Sequence, residues 1–113
     1  MAKPLPPPTP ELAELADILG LGEARDLTCT FLADTPRLIA DLDSPAIDRA
    51  KIAAHSLKST SRLIGASILS GLAAALESRL LAAGSLPTVT ETDAIRAEYA
   101  RICPMLTRFS ARP

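Results

Sequence analysis

Apolar residues recur every three or four positions through most of this chain, and no segment alternates apolar and polar residues as a β-strand does. Hydrophobic residues make up 48% of the sequence, mostly Ala, Leu and Ile, with one Tyr and two Phe. Small and aliphatic side chains suit close packing between helices better than a β-sandwich. The 113 residues fit one domain. We therefore predict an all-α, antiparallel up-down-up-down four-helix bundle with a short extra N-terminal helix.

The first eight residues differ in composition from the rest of the chain. Residues 1–8 contain four prolines and predict a flexible, extended leader, so the helical domain is expected to span residues 9–113. The leader is too rich in proline for the apolar core of a signal peptide. A starting Met1 followed by such a leader favours a free-standing protein.

Capping and turn residues divide the domain into five predicted helices. Thr9 followed by Pro10 predicts the start of a first helix, which ends near residue 19 at Gly20 and Gly22. Four longer helices are expected at about residues 23–42, 45–64, 67–83 and from about residue 90 onwards.

Special residues mark the expected irregularities of these helices. Pro36 predicts a kink or loosened turn in the second helix, and Pro104 predicts a disturbance in the last turns of the fifth. Gly65 is expected to end the third helix in a left-handed conformation. Thr90 and Asp93 resemble a capping box at the start of the fifth helix.

Composition argues against several classes of function. The net charge is −1 and no basic run is interleaved with aromatic residues, so nucleic-acid binding is not expected. Cys29 and Cys103 lie far apart without partners at metal-ligand spacing, which predicts no disulfide framework, no metal site and no cofactor. No apolar run reaches the length of a membrane span, so we expect no membrane association and a cytoplasmic protein.

The single histidine, His55, lies on the polar face of the third predicted helix. At 100° per residue it points almost opposite the apolar seam, which contains Ile47, Ala50, Ala54, Leu57, Ser61 and Ile64. Polar and charged residues share its face within about 60°: Asp48, Lys51, Lys58, Ser59 and Arg62. Ile52 and Leu63 border this face and suit a transient protein interface. Periodicity alone also fits an ordinary solvated surface.

The sequence around His55 resembles the motif of the histidine-phosphotransfer (HPt) family. Residues 54–66 read Ala-His-Ser-Leu-Lys-Ser-Thr-Ser-Arg-Leu-Ile-Gly-Ala. The family pattern is Ala-His-x-Leu-Lys-Gly, followed by Gly-Ala ten residues after the histidine. The resemblance covers roughly residues 24–82 and continues at several flanking positions, namely Phe31-Leu32, Thr35-Pro36, Leu38, Leu69 and Leu76-Glu77.

The resemblance implies a role for each matching residue. His55 is expected to carry the phosphoryl group, Lys58 to help stabilise it, and Gly65 to end the phosphorylated helix. Ser59 stands where the family usually has glycine, a departure that could alter the transfer rate or the choice of partner. The surface expected to bind partners consists of Lys51, Ile52, Ser59, Arg62 and Leu63.

The implied function is that of a phosphocarrier in a two-component phosphorelay. The protein would accept a phosphoryl group on His55 and pass it to or from an aspartate of a response-regulator receiver domain, with a sensor or hybrid histidine kinase as the other partner. It would be a monomer without an ATP site of its own, and so not an enzyme.

Two other functions stay open from the sequence. One is a dimeric histidine-kinase-like phosphoacceptor bundle, although an acid usually follows the histidine there, and here Ser56 does. The other is a helical scaffold or adaptor that is never phosphorylated. Among the remaining residues, Glu77 is expected to form a structural ion pair or cap, and His55 is expected to lack an orienting acid.

Overall fold

The structure, a computed structural model, describes residues 5–111 and contains five α-helices within that range. They are α1 (Pro10–Leu19), α2 (Leu21–Asp41), α3 (Ile47–Leu63), α4 (Ser67–Ala83) and α5 (Val89–Ser110). Helix α3 packs between α2 and α4, α5 closes the bundle by packing on α2 and α4, and α1 packs on α2. Residues 5–111 form no strand. The predicted all-α bundle with an extra N-terminal helix is therefore confirmed.

Small residues let α3 pack closely against its neighbours. Ala50, Ala53 and Ala54 are buried on its inner side, together with Leu57 and Ser61. Facing them, α4 contributes Leu69, Ala73, Leu76 and Leu80 to the same core. The predicted seam of α3 is largely as observed. The stretch that carries His55 is therefore fixed to the bundle along its whole inner side, which favours a rigid helix.

Two core positions in α2 are occupied by threonines. Thr28 and Thr35 are buried, whereas Leu27 and Leu38 are only partly buried. Each threonine hydroxyl donates a hydrogen bond to the carbonyl four residues earlier, at 2.8 Å for Thr28 and 2.6 Å for Thr35. A hydroxyl satisfied in this way can be buried among apolar side chains at little cost.

Prolines inside α2 and α5 do not end either helix. Because Pro36 has no N–H, it cannot donate to the carbonyl of Leu32, which lies four residues earlier. That carbonyl instead accepts a hydrogen bond of 3.2 Å from the hydroxyl of Tyr99 on α5. The carbonyl that Pro36 leaves without a helical partner thus joins α2 to α5. Helix α5 likewise continues through Pro104 to Ser110, so the predicted disturbance of its last turns does not interrupt it.

The start of α1 is as predicted, whereas α2, α3 and α5 begin one or two residues away from the predicted positions. Thr9 caps α1 as predicted, its hydroxyl accepting a hydrogen bond from the N–H of Leu12 at 3.1 Å. Helix α2 begins at Leu21, so Gly20 alone separates it from α1 and Gly22 lies within α2.

The capping box of α5 consists of Thr88 and Glu91, and the predicted pair Thr90 and Asp93 was wrong. Glu91 is fixed at this position because Arg79 of α4 donates two hydrogen bonds to its carboxylate, at 2.5 and 2.7 Å. The sequence pattern contains no sign of this interhelical contact.

The predicted leader lies only partly within the described residues. Leu5–Pro8 form no helix, and residues 1–4 lie outside the described range. The domain limits of residues 9–113 therefore stay a prediction. Between residues 5 and 111, each helix is too short or too polar to cross a membrane.

Candidate functional site

His55 lies near the middle of α3 and points away from the core. Its neighbours Ala54 and Leu57 are buried, whereas 62% of the His55 side chain is exposed. Because the inner side of α3 is packed along its length, the imidazole projects from a fixed backbone. The predicted exposure of His55 is confirmed.

Glu77 of α4 links His55 to Lys58. One carboxylate oxygen, Oε2, lies 2.6 Å from Nδ1 of His55, and the other, Oε1, accepts a hydrogen bond of 2.5 Å from Nζ of Lys58. The Glu77 side chain is only 15% exposed. The hydrogen bond from Lys58 lowers the pKa of Glu77 most, the bond with His55 lowers it further, and partial burial opposes both. Glu77 is therefore a carboxylate at neutral pH.

The contact with Glu77 determines which nitrogen of His55 is available for reaction. An ionised carboxylate can only accept a hydrogen bond, so Nδ1 of His55 carries the proton. In the neutral ring the lone pair is then on Nε2, the outer nitrogen of the exposed imidazole. A solvent-facing nitrogen lone pair on an oriented ring is a suitable nucleophile for a phosphoryl group.

Glu77 is the site residue that the sequence reasoning missed. The expectation that His55 lacks an orienting acid was wrong, because the acid comes from the neighbouring helix. A signal was present: His55 precedes Gly65 by ten residues and Glu77 follows it by twelve. In an antiparallel pair of helices joined at Gly65, two residues at such similar distances from the turn lie side by side.

Lys58 and the residues of the predicted docking surface lie on two sides of His55. On the side towards α4 lie Lys58 and Arg62. On the other side of the helix face lie Ile52, 67% exposed, and Leu63, 50% exposed, and Leu63 lines a pocket with Leu27 of α2. Ser59 is exposed one turn after His55. The site therefore has a basic side and an apolar side. Lys51 is partly buried on the same helix.

Gly65 has a role in the site through its backbone. Its φ of 79° is left-handed, as predicted, and strongly favours glycine. A Cβ atom there would lie 2.7 Å from Cβ and Oγ1 of Thr9 and would also overlap the carboxylate of Glu11. The hydroxyl of Thr9 meanwhile donates to the carbonyl of Ile64 at 2.6 Å. Helix α1 is thereby attached to the end of the helix that carries His55.

The described residues contain no cluster of potential metal ligands. No group of three or more His, Cys, Asp or Glu side chains within residues 5–111 is placed to hold a metal ion. The thiols of Cys29 and Cys103 are both free.

Comparison with known protein families matches residues 26–103 to the Hpt domain. The chain belongs to the Hpt domain family. Proteins of this family take part in phosphotransfer within two-component signalling, as carriers rather than classical enzymes, and they interact with kinases and response regulators. The matched region includes all of α3 and α4 and leaves α1 outside. No curated protein and no solved structure matches this chain.

Proposed function

We propose that the protein accepts a phosphoryl group on Nε2 of His55 and passes it to or from an aspartate of a response-regulator receiver domain. The observation that carries this proposal is the contact between Glu77 and Nδ1 of His55, because it leaves Nε2 unprotonated and exposed. A histidine that was merely part of a solvated surface would not need a partly buried carboxylate from another helix.

The transfer step follows from the same geometry. The lone pair of Nε2 attacks the phosphorus of an aspartyl phosphate, an N–P bond forms, and the P–O bond to the aspartate breaks with the carboxylate as leaving group. The imidazole ring gains positive charge as the bond forms, and Glu77 stabilises that charge through Nδ1–H. Reversal of these steps returns the phosphoryl group.

Lys58 supports the phosphorylated state. A phosphoryl group adds between one and two negative charges and three strong acceptor oxygens. The Lys58 ammonium is held beside the imidazole by Glu77, and small side-chain rotations would bring it to a phosphoryl oxygen. Lysine acts here as a mobile point charge, for which its flexible stem is suited.

The partner supplies the rest of the chemistry. A receiver domain or a kinase would bring the acidic pocket and the Mg²⁺ that neutralise charge on the transferring group. The docking surface would be Lys51, Ile52, Ser59, Arg62 and Leu63, and the protein would act as a cytoplasmic monomer. One chain already provides all four helices of a bundle, which disfavours the dimeric kinase-like alternative.

Transfer of labelled phosphate tests the proposal. Purified receiver domains and hybrid kinases from the same organism are phosphorylated and mixed with the wild-type protein and with the His55→Gln and Glu77→Gln variants. Label on the wild type that is acid-labile and base-stable and absent from His55→Gln supports the proposal. Glu77→Gln should still accept label, but about 10- to 100-fold more slowly, because Nδ1 loses its charged partner.

Two outcomes would contradict the proposal. Equal labelling of wild type and His55→Gln would place the phosphoryl group elsewhere. No labelling of a folded wild type by any donor would favour a scaffold or a site blocked by Ser59, and a Ser59→Gly variant that gains transfer would identify the second case. In a separate measurement, a molar mass in solution twice that of the chain would favour the dimeric alternative.

A further inference from the structure

The two ring nitrogens of His55 point in nearly opposite directions. Nδ1 lies 2.6 Å from the Glu77 carboxylate, so this edge of the ring faces α4. In a five-membered ring, the outward directions of two atoms that are separated by one carbon are nearly opposite, and Nδ1 and Nε2 are such a pair. A phosphoryl group bonded to Nε2 would therefore extend away from α4.

The side chains next to His55 differ between these two sides. Lys58 and Arg62 lie towards α4, where both line a groove between the two helices. On the other side, about one turn away in either direction, lie Ile52 and Ser59, at about 60° and 40° from His55 around the helix. Both are exposed. Ile52 has no donor, so Ser59 is the closest side-chain hydrogen-bond donor of α3 on the side to which the phosphoryl group would extend.

The hydroxyl of Ser59 is free to bind a ligand. Hydroxyls inside helices often donate to the carbonyl four residues earlier, as Thr60 does to Ser56 at 2.9 Å. Among the residues that the structure describes, the Ser59 hydroxyl forms neither this bond nor any other hydrogen bond. Side chains one turn apart on a helix have Cβ atoms about 5–6 Å apart, and they lean towards the N-terminus of the helix. The Ser59 side chain thus leans towards the turn that carries His55.

We infer that Ser59 is a ligand of the phosphoryl group: its hydroxyl donates a hydrogen bond to an oxygen of the group carried on Nε2 of His55. This inference deepens the proposed function and rests on it. The phosphoryl group has three acceptor oxygens. Lys58 binds an oxygen on the side towards α4, and Ser59 binds one on the opposite side. Hydrogen bonds to an ionised acceptor are stronger than those between neutral groups, so the two donors hold the group from two directions.

The contact with Ser59 should slow the loss of the phosphoryl group to water. In a loose transition state the group approaches metaphosphate, and the negative charge on its oxygens falls. A donor to those oxygens therefore stabilises the phosphohistidine more than it stabilises the transition state. A residue that only touched a docking partner would have no effect on the phosphorylated protein alone. The decisive measurement is therefore made without a partner.

The experiment compares the wild type with Ser59→Ala, Ser59→Thr and Ser56→Ala. Threonine keeps the hydroxyl, and Ser56 lies in a pocket towards α2, so its replacement controls for the loss of a serine hydroxyl from α3. Each protein is phosphorylated with phosphoramidate, a small donor that needs no docking surface, or, where that fails, with a phosphorylated receiver that is then removed. ³¹P NMR follows the rate at which phosphohistidine is lost at pH 7 and the titration of the phosphoryl group.

We expect the half-life of phosphohistidine to fall about three- to tenfold in Ser59→Ala, the factor that loss of one exposed hydrogen bond implies. The pKa of the phosphoryl group should rise in the same variant, because the hydroxyl favours the more highly charged form. Ser59→Thr and Ser56→Ala should stay within about twofold of the wild type. A half-life and a titration unchanged in Ser59→Ala would overturn the inference and leave His55 as the phosphoacceptor. A wild type that takes phosphate neither from phosphoramidate nor from any receiver would overturn the proposed function, and the inference with it.

Discussion

Replacement of Gly65 by alanine should destabilise the protein more than the same change at Gly84. Both glycines have left-handed backbones, with φ of 79° at Gly65 and 65° at Gly84. They differ in their surroundings. An added Cβ meets Thr9 at 2.7 Å and overlaps Glu11 at Gly65, whereas at Gly84 nothing lies within 4 Å. The pair therefore separates backbone strain from the steric contact with α1.

The expected losses follow from these two contributions. A left-handed backbone costs a residue with a Cβ roughly 1 kcal/mol, and this is the whole effect expected at Gly84. Forcing an extra methyl group into a packed contact adds about 1–3 kcal/mol at Gly65. With an unfolding entropy of roughly 2.1 cal/mol/K per residue, 1 kcal/mol corresponds to about 4 °C for a chain of this length. We expect the melting temperature to fall by about 8–16 °C for Gly65→Ala and by about 4 °C for Gly84→Ala.

Thermal unfolding followed by circular dichroism at 222 nm measures both variants, and a Thr9→Gly background tests the assigned cause. Removing the Thr9 side chain takes away two of the three atoms nearest to the new methyl group, so Gly65→Ala should cost less in that background than in the wild type. Equal losses in the two single glycine variants would refute the reasoning, because α1 would then not pack against Gly65 as described.

Two further predictions concern the rest of the bundle. Arg79 lowers the pKa of Glu91 to about 2, so the stability from this pair is complete above pH 4.5 and is lost as the pH falls towards 2. Arg79→Met should therefore lower the free energy of unfolding at pH 7 and lower it much less at pH 2.5. Urea unfolding of both proteins at the two pH values measures this, and a difference from wild type that does not depend on pH would contradict it. The hydroxyl of Ser61 is buried and has no hydrogen-bond partner among the described residues. Ser61→Ala should thus raise the melting temperature by about 2–6 °C, because it removes an unsatisfied polar group and alanine has the higher helix propensity. A fall in the melting temperature would show that the hydroxyl has a partner.

Helix limits could be predicted where one residue decides them locally. Helix α4 was placed correctly at residues 67–83 because Gly65 and Gly84 both adopt left-handed conformations at the ends of helices. The start of α5 was placed too late, because several hydroxyl residues there could serve as caps and the choice depends on Arg79 in another helix. The sequence shows which residues are able to cap a helix, and tertiary contacts determine which of them does so.

The same division holds for the candidate site. The exposure of His55 and the positions of Lys58 and Arg62 follow from the geometry of a single helix, and the sequence predicted them. Glu77 comes from another helix, and its position depends on the register and packing of α3 against α4. Periodicity gives each helix its faces, but the register of α4 against α3 follows only from counting residues from the turn at Gly65, so Glu77 was not assigned to the site.

The three-residue arrangement of His55, Glu77 and Lys58 also bears on the direction of transfer. In the unphosphorylated state one carboxylate is shared by two nitrogen donors, and so Lys58 has a partner before any phosphate arrives. On the proposed mechanism, a phosphoryl group on Nε2 offers Lys58 a new acceptor, while the more positive imidazole binds Glu77 more strongly. Both changes need side-chain rotation only, because α3 and α4 are fixed by their packed inner sides. A carrier whose two states share one backbone stores little conformational energy in either state, and the partner's affinity for phosphate then decides which way the group moves.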